Sequence, residues 1–187
     1  MKKYWDKALP FEEYIKTAHH RLAHPETEQD ENFKNYYELG IQRTERTLKR
    51  YKRSEEELQA LQSKNFDGKI LIISETWCGD ASSTIPVLTK FFEDQNEVKI
   101  FLRDSDKSLI NQFLTNGTES IPKVLILDKN FEVKATWGPR TKYGSELLAK
   151  YKKDPEAYPK DEFYNDLQVY YAKNKGKDVI QEILELL

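Results

Sequence analysis

Apolar residues along this chain follow two rhythms. From Lys69 to Ser74 they run unbroken, Ile70-Leu71-Ile72-Ile73, the pattern of a strand covered on both faces of a sheet. Val98 to Leu102, apart from Lys99, and Val124 to Leu127 repeat it, and Phe131 to Thr136 follows across the turn Asp128-Lys129-Asn130. The last two runs are expected to pair as an antiparallel hairpin. The first two, separated by the amphipathic stretch Ile85 to Phe92, are expected to lie parallel across a right-handed crossover.

Elsewhere the spacing is helical. Phe11, Tyr14, Ile15 and Ala18 share one face, with Pro10 suited to the first helical position. Phe33, Tyr36, Tyr37, Gly40, Ile41, Thr44, Leu48 and Tyr51 predict a second helix, and Glu26 to Asn32 before it reads as a polar loop. Ser54-Glu55-Glu56-Glu57 has the form of a capping box and opens a third. Pro86 lacks an N–H and should bend the helix that follows the first strand. Asp106 reads as the cap of a short helix over Lys107 to Leu114. Further helices are expected over Ser145 to Tyr151, after Asp161 (with Phe163, Leu167, Tyr170 and Tyr171 on one side) and over Asp178 to Leu187, whose apolar face is expected to dock on its own core. The resulting division is a helical N-terminal extension over 1–64, an α/β core over 65–150 and a helical C-terminal extension over 151–187 packing on the core.

Composition narrows the function classes. With 187 residues, 38% of them hydrophobic, the chain fits one domain or one core with appendages. A net charge of −2 gives no reason to expect a nucleic-acid partner. No apolar run approaches the roughly 18 residues of a membrane span, and no apolar stretch follows Met1-Lys2-Lys3, so the chain reads as cytoplasmic. Arg43, Arg46, Lys49, Arg50, Lys52 and Arg53 form its most basic segment, read chiefly as a solvated helix face, with reception of an anionic substrate as the alternative. His19, His20 and His24 read as solvated residues at a helix end, and no metal site is assigned.

The one cysteine carries the candidate chemistry. Cys78 lies between the apolar strand and the amphipathic helix, in Ser74-Glu75-Thr76-Trp77-Cys78-Gly79-Asp80-Ala81. A thiol at the first turn of a helix meets unpaired N–H groups and the positive end of the macrodipole. Its pKa is expected to fall below the free value of roughly 8.5, and the thiolate is the nucleophile. A buried structural cysteine is the bland alternative.

Trp77-Cys78-Gly79-Asp80-Ala81 resembles the Trp-Cys-Gly-Pro-Cys motif of the thioredoxin family. Pro86 falls where that family kinks its active-site helix, Ser120-Ile121-Pro122-Lys123-Val124 resembles the loop whose cis-proline faces the catalytic cysteine, and Gly138 resembles the glycine after the last strand. The resemblance covers about Asn65 to Leu148 and points to a divergent, bacterial-type branch. It implies a thioredoxin-like fold, a central mixed sheet flanked by helices, with Cys78 catalytic and Trp77, Gly79, Asp80, Ile121 and Pro122 binding substrate. Ile121 would offer its main chain to an extended peptide or thiol ligand.

Two departures redirect the chemistry. Ala81 stands where the resolving cysteine belongs, and Ile72 where thioredoxins bury an acid. A dithiol cycle within one subunit is impossible. The expected activity is monothiol thiol–disulfide exchange with protein or small-molecule disulfides. There is no resident cofactor, and a low-molecular-weight thiol serves as co-substrate and resolver. Asp80 would oppose the Cys78 thiolate by like charge or accept its proton. Arg103 and Asp104 are expected near the site, at the C-terminal end of a strand, and Arg140 reads as a surface arginine. A monomer or weak homodimer is expected. The alternative function is a non-catalytic binding module using the groove beside Cys78 and Pro122.

Overall fold

A computed structural model describes residues Met1–Leu187. Four strands, β1 (Lys69–Ser74), β2 (Val98–Leu102), β3 (Lys123–Leu127) and β4 (Val133–Trp137), form one sheet in the order β2-β1-β3-β4. β1 pairs parallel with β2, Ile72 opposite Ile100, and antiparallel with β3, Ile72 opposite Val124. β3 and β4 pair antiparallel, with a register shift at Ile126/Leu127. The unbroken apolar runs follow from burial on both faces: Ile70 through Ser74 and all of β3 are buried, whereas half-exposed β4 alternates.

Eight helices surround the sheet: α1 (Lys2–Trp5), α2 (Phe11–Ala23), α3 (Glu28–Arg50), α4 (Glu55–Ser63), α5 (Ala81–Phe92), α6 (Lys142–Lys153), α7 (Lys160–Asn174) and α8 (Lys177–Leu186). Tyr4, Trp5, Tyr14 and Tyr51 of the N-terminal helices and their connections, and Val179, Ile180 and Ile183 of α8, join the strands in one apolar core. The α8 face therefore docks on its own chain. A second, small cluster of Leu147, Tyr158, Phe163 and Leu167 ties α6 to α7. Leu9 exchanges two 2.8 Å hydrogen bonds with Ile100 and partly covers the open edge of β2. No helix is long and apolar enough to cross a membrane.

Several boundaries differ from the sequence reading. α3 begins at Glu28, inside the stretch read as loop, because Thr27 and Asp30 form a reciprocal capping box. Pro10 is the cap of α2 and not its first helical residue. Pro159 precedes α7, leaving Asp161 in its first turn, and α6 starts early, from a Thr141 side-chain cap. No α-helix forms over Lys107 to Leu114. Asp106 accepts a hydrogen bond from the Ser108 N–H at 3.0 Å, and only a 3₁₀ turn over Ile110–Gln112 follows. Leu109 and Ile110 are both fully buried, whereas the polar Lys107, Ser108, Asn111 and Gln112 around them leave no apolar stripe long enough to hold a regular helix.

Candidate functional site

β1 delivers its C-terminal end to a tight turn closed by the Cys78 N–H on the Glu75 carbonyl, 3.1 Å, and α5 starts at Ala81. The turn lies under α3. A Cβ on Gly40 would stand 3.2 Å from the Thr76 carbonyl oxygen, so glycine there lets the helix approach the backbone. Gly79 lies beneath Arg43, where a Cβ would meet Nη1 in ordinary contact at 3.4 Å.

Cys78 is buried, 7% exposed, and its Sγ donates to the Ile121 carbonyl at 3.5 Å. The structure thus brings together the two points singled out in the sequence. The Ile121–Pro122 peptide is cis, as is Gly138–Pro139. Gly138 has a φ of +105°, and a Cβ there would lie 2.4 Å from the Pro122 carbonyl oxygen. Only glycine lets the end of β4 press on that loop.

The acidity of Cys78 differs from expectation. Burial, followed by the Asp80 charge, pushes the thiol up to about 12, against the pull of the Ala81 and Asp80 amides and of Arg140. The helix N-terminus does act on the sulfur in the expected direction. It is outweighed because the site is closed to water.

Asp80 is also buried. It pairs with Arg140 at 2.6 Å and accepts from the Tyr171 hydroxyl at 2.8 Å. Burial raises its pKa, while Arg140, Tyr171 and Arg43 pull it down. Arg140, read as a surface residue, is instead 16% exposed, lies over the Phe163 ring at 5.8 Å and leaves its buried Nε without a partner. Neither Arg140 nor Tyr171 carries a local signal of this role, since tertiary packing alone brings them to Asp80.

Trp77 packs edge-on against Phe33 at 5.2 Å and beneath the Arg103 guanidinium at 5.1 Å, on the α3 side of the turn. Its buried Nε1 has no partner. Beside it lies a carboxylate that sequence reasoning passed over. Glu75 is fully buried, pairs with Arg21 at 2.9 Å and accepts from the Asp104 N–H at 2.8 Å. The Tyr14 hydroxyl donates to the Glu75 carbonyl at 2.9 Å. A charged residue ending an apolar strand was the available clue, because a buried carboxylate needs partners. Glu75 fixes the loop bearing Arg103 and Asp104 against the turn. A polar cleft of about 580 Å³ opens over it, lined among others by Arg21, His20, His24 and Asp104. The His20 and His24 rings lie 5.3 Å apart, but no three His, Cys, Asp or Glu side chains are arranged to hold a metal.

A family profile described as Thioredoxin matches residues 26–152, more than half of the chain. No curated protein matches. Two solved structures share the fold. A protein of unknown function from Pseudomonas aeruginosa is 17% identical with a TM-score of 0.61, over 97% of this chain and 92% of its own. An HIV epitope-scaffold is 16% identical with a TM-score of 0.62, over 99% and 95%. At such identities the likeness speaks to fold alone.

Proposed function

The chain belongs to the thioredoxin family, and we propose that it acts as a monothiol thiol–disulfide oxidoreductase with Cys78 as nucleophile. The observation that carries this reading is the contact between Cys78 Sγ, at the N-terminus of α5, and the Ile121 carbonyl. It puts the one thiol beside a main-chain edge suited to an extended, sulfur-bearing ligand.

In this reading the Cys78 proton passes to a solvent base as the ligand enters, Asp80 being engaged by Arg140 and Tyr171. The thiolate attacks one sulfur of a disulfide R–S–S–R′. A Cys78–S–S–R bond forms, the old S–S bond breaks, and R′S⁻ leaves and takes up a proton. A low-molecular-weight thiol then attacks the R sulfur and frees Cys78. Over both steps the R′ sulfur is reduced, the small thiol's sulfur is oxidised, and Cys78 is unchanged. Ala81 provides no internal route for the second step.

Burial of the thiol favours a second reading, a binding module in which Cys78 is idle. The pH dependence of Cys78 alkylation in the folded protein separates the two. The oxidoreductase reading expects slow alkylation at pH 7, climbing about tenfold per unit with no plateau below pH 10, as a thiol near 12 requires. It also expects a mixed disulfide with a small aromatic disulfide, absent in Cys78→Ser. A thiol that reacts only after unfolding, with no mixed disulfide, would leave the binding module.

A further inference from the structure

Beyond the thiol, uncompensated positive charge surrounds a small cavity where the end of α3, the first turn of α5 and the α7–α8 corner meet. Arg46, Arg50 and Lys175 line it together with Ser83, Gln168 and Asn174, and no acidic residue does. None of the three cations takes part in an ion pair. Asp178, next to the α7–α8 corner, accepts from the Tyr170 hydroxyl at 2.6 Å, and Asp80, at the start of α5, from Tyr171 and Arg140. Arg43, one turn before Arg46, is held below the ordinary arginine range by burial and by the Arg46 charge, so like charge is concentrated on this face. The Ser82 hydroxyl is occupied by the Gly79 carbonyl at 2.7 Å, whereas Ser83 faces the cavity wall.

We infer that this corner binds the oxyanion head of a small ligand, a phosphate or carboxylate group. Three converging cations without counter-charge repel one another, and an anion relieves that repulsion while gaining charge-assisted hydrogen bonds from two guanidinium groups. The partly open cavity holds about 30 Å³, room for about two water-sized groups, so two oxygens of the head group enter and the remainder of the ligand stays outside. The site is lined by residues other than Cys78 and Ile121, and the inference stands whether or not the thiol is used.

The test uses the full chain, with inorganic phosphate and propane-1,2,3-tricarboxylate as probes, each titrated at constant ionic strength against sodium chloride while the thermal midpoint is followed. A ligand that binds only the folded state raises the midpoint saturably. The expected result is a saturable rise with at least one probe, and the better probe identifies the head group as phosphate or carboxylate. Arg46→Gln and Arg50→Gln are each expected to weaken the dissociation constant about tenfold. Lys152→Gln, on a different helix, is expected to leave it unchanged. Both arginines are exposed, so their variants keep the fold, which far-UV circular dichroism checks. No saturable rise with either probe, or equal binding by Arg46→Gln, Arg50→Gln and the unmodified chain, overturns the inference.

Discussion

At Cys78 two backbone amides and Arg140 favour the thiolate, while desolvation and Asp80 favour the thiol, and desolvation wins. This has a consequence for stability. The folded pKa, about 12, lies above the unfolded value of roughly 8.5. Below the unfolded value the thiol is protonated in both states, and its stabilising contribution is fully present. Above it the unfolded chain releases the proton first, so stability falls as pH rises toward the folded value, with a slope approaching about 1.4 kcal/mol per pH unit. Urea unfolding between pH 8 and pH 9.5 should show this loss in the unmodified chain and not in Cys78→Ala. Burial also raises Tyr14, Tyr37 and Tyr51 above their ordinary value near 10, so their own loss of stability begins at the top of that window, but it is common to both proteins and the difference between the two profiles isolates the thiol. Parallel pH profiles for the two proteins would mean that the thiol is not held protonated. The position of Cys78 was legible from its strand–turn–helix setting. Its acidity was not, because Ile121 and Tyr171 reach the turn from 43 and 91 residues away in sequence from Cys78 and Asp80.

Among the elements, β1 and β3 were the most legible, because burial on both faces writes itself as an unbroken apolar run. Helix ends were less so. α4 and α3 use the same device, a hydroxyl and a carboxylate three residues apart, yet only Ser54…Glu57 was recognised. Thr27…Asp30 carries Asp where the pattern expects Glu or Gln, and no apolar residue follows until Phe33. Asp30 does more than cap. It is buried, accepts from the Tyr37 hydroxyl at 2.8 Å and so fixes the third turn of α3 to the first. Thr27→Ala is therefore expected to cost about 1 kcal/mol of global stability and to speed hydrogen exchange selectively over Glu28 to Glu31. The matching Ser54→Ala should leave exchange in α3 untouched. A Thr27→Ala protein with unchanged exchange in that turn would show that packing alone holds the start of α3. Residues 107–114 mark the opposite error, where a plausible cap invited a helix and only a 3₁₀ turn over Ile110–Gln112 forms.

Taken as a whole, the molecule closes on its own site from the C-terminal side. α8 returns to the sheet, where Glu182 accepts from the Trp137 indole at 2.6 Å and from the Lys142 N–H at 2.8 Å. α7 supplies the Tyr171 hydroxyl to Asp80, beside the thiol. This long-range closure left no pattern in the sequence beyond two apolar-faced helices. Its energetic weight can be isolated with a cycle of Tyr171→Phe, Asp80→Asn and the double variant. Asp80→Asn alone removes the counter-charge of a buried arginine, so its cost mixes the tyrosine contact with an unpaired Arg140. The Arg140 part is common to both legs of the cycle and cancels. What remains is the hydrogen bond from a phenol to a buried carboxylate, expected at about 1.5–3 kcal/mol of coupling. Coupling of that size would mean that loosening α7 also loosens the turn that carries Cys78, and alkylation of Cys78 should then accelerate in Tyr171→Phe at fixed pH. Additivity within about 0.5 kcal/mol, with alkylation unchanged, would mean that α7 lies against the site without holding it.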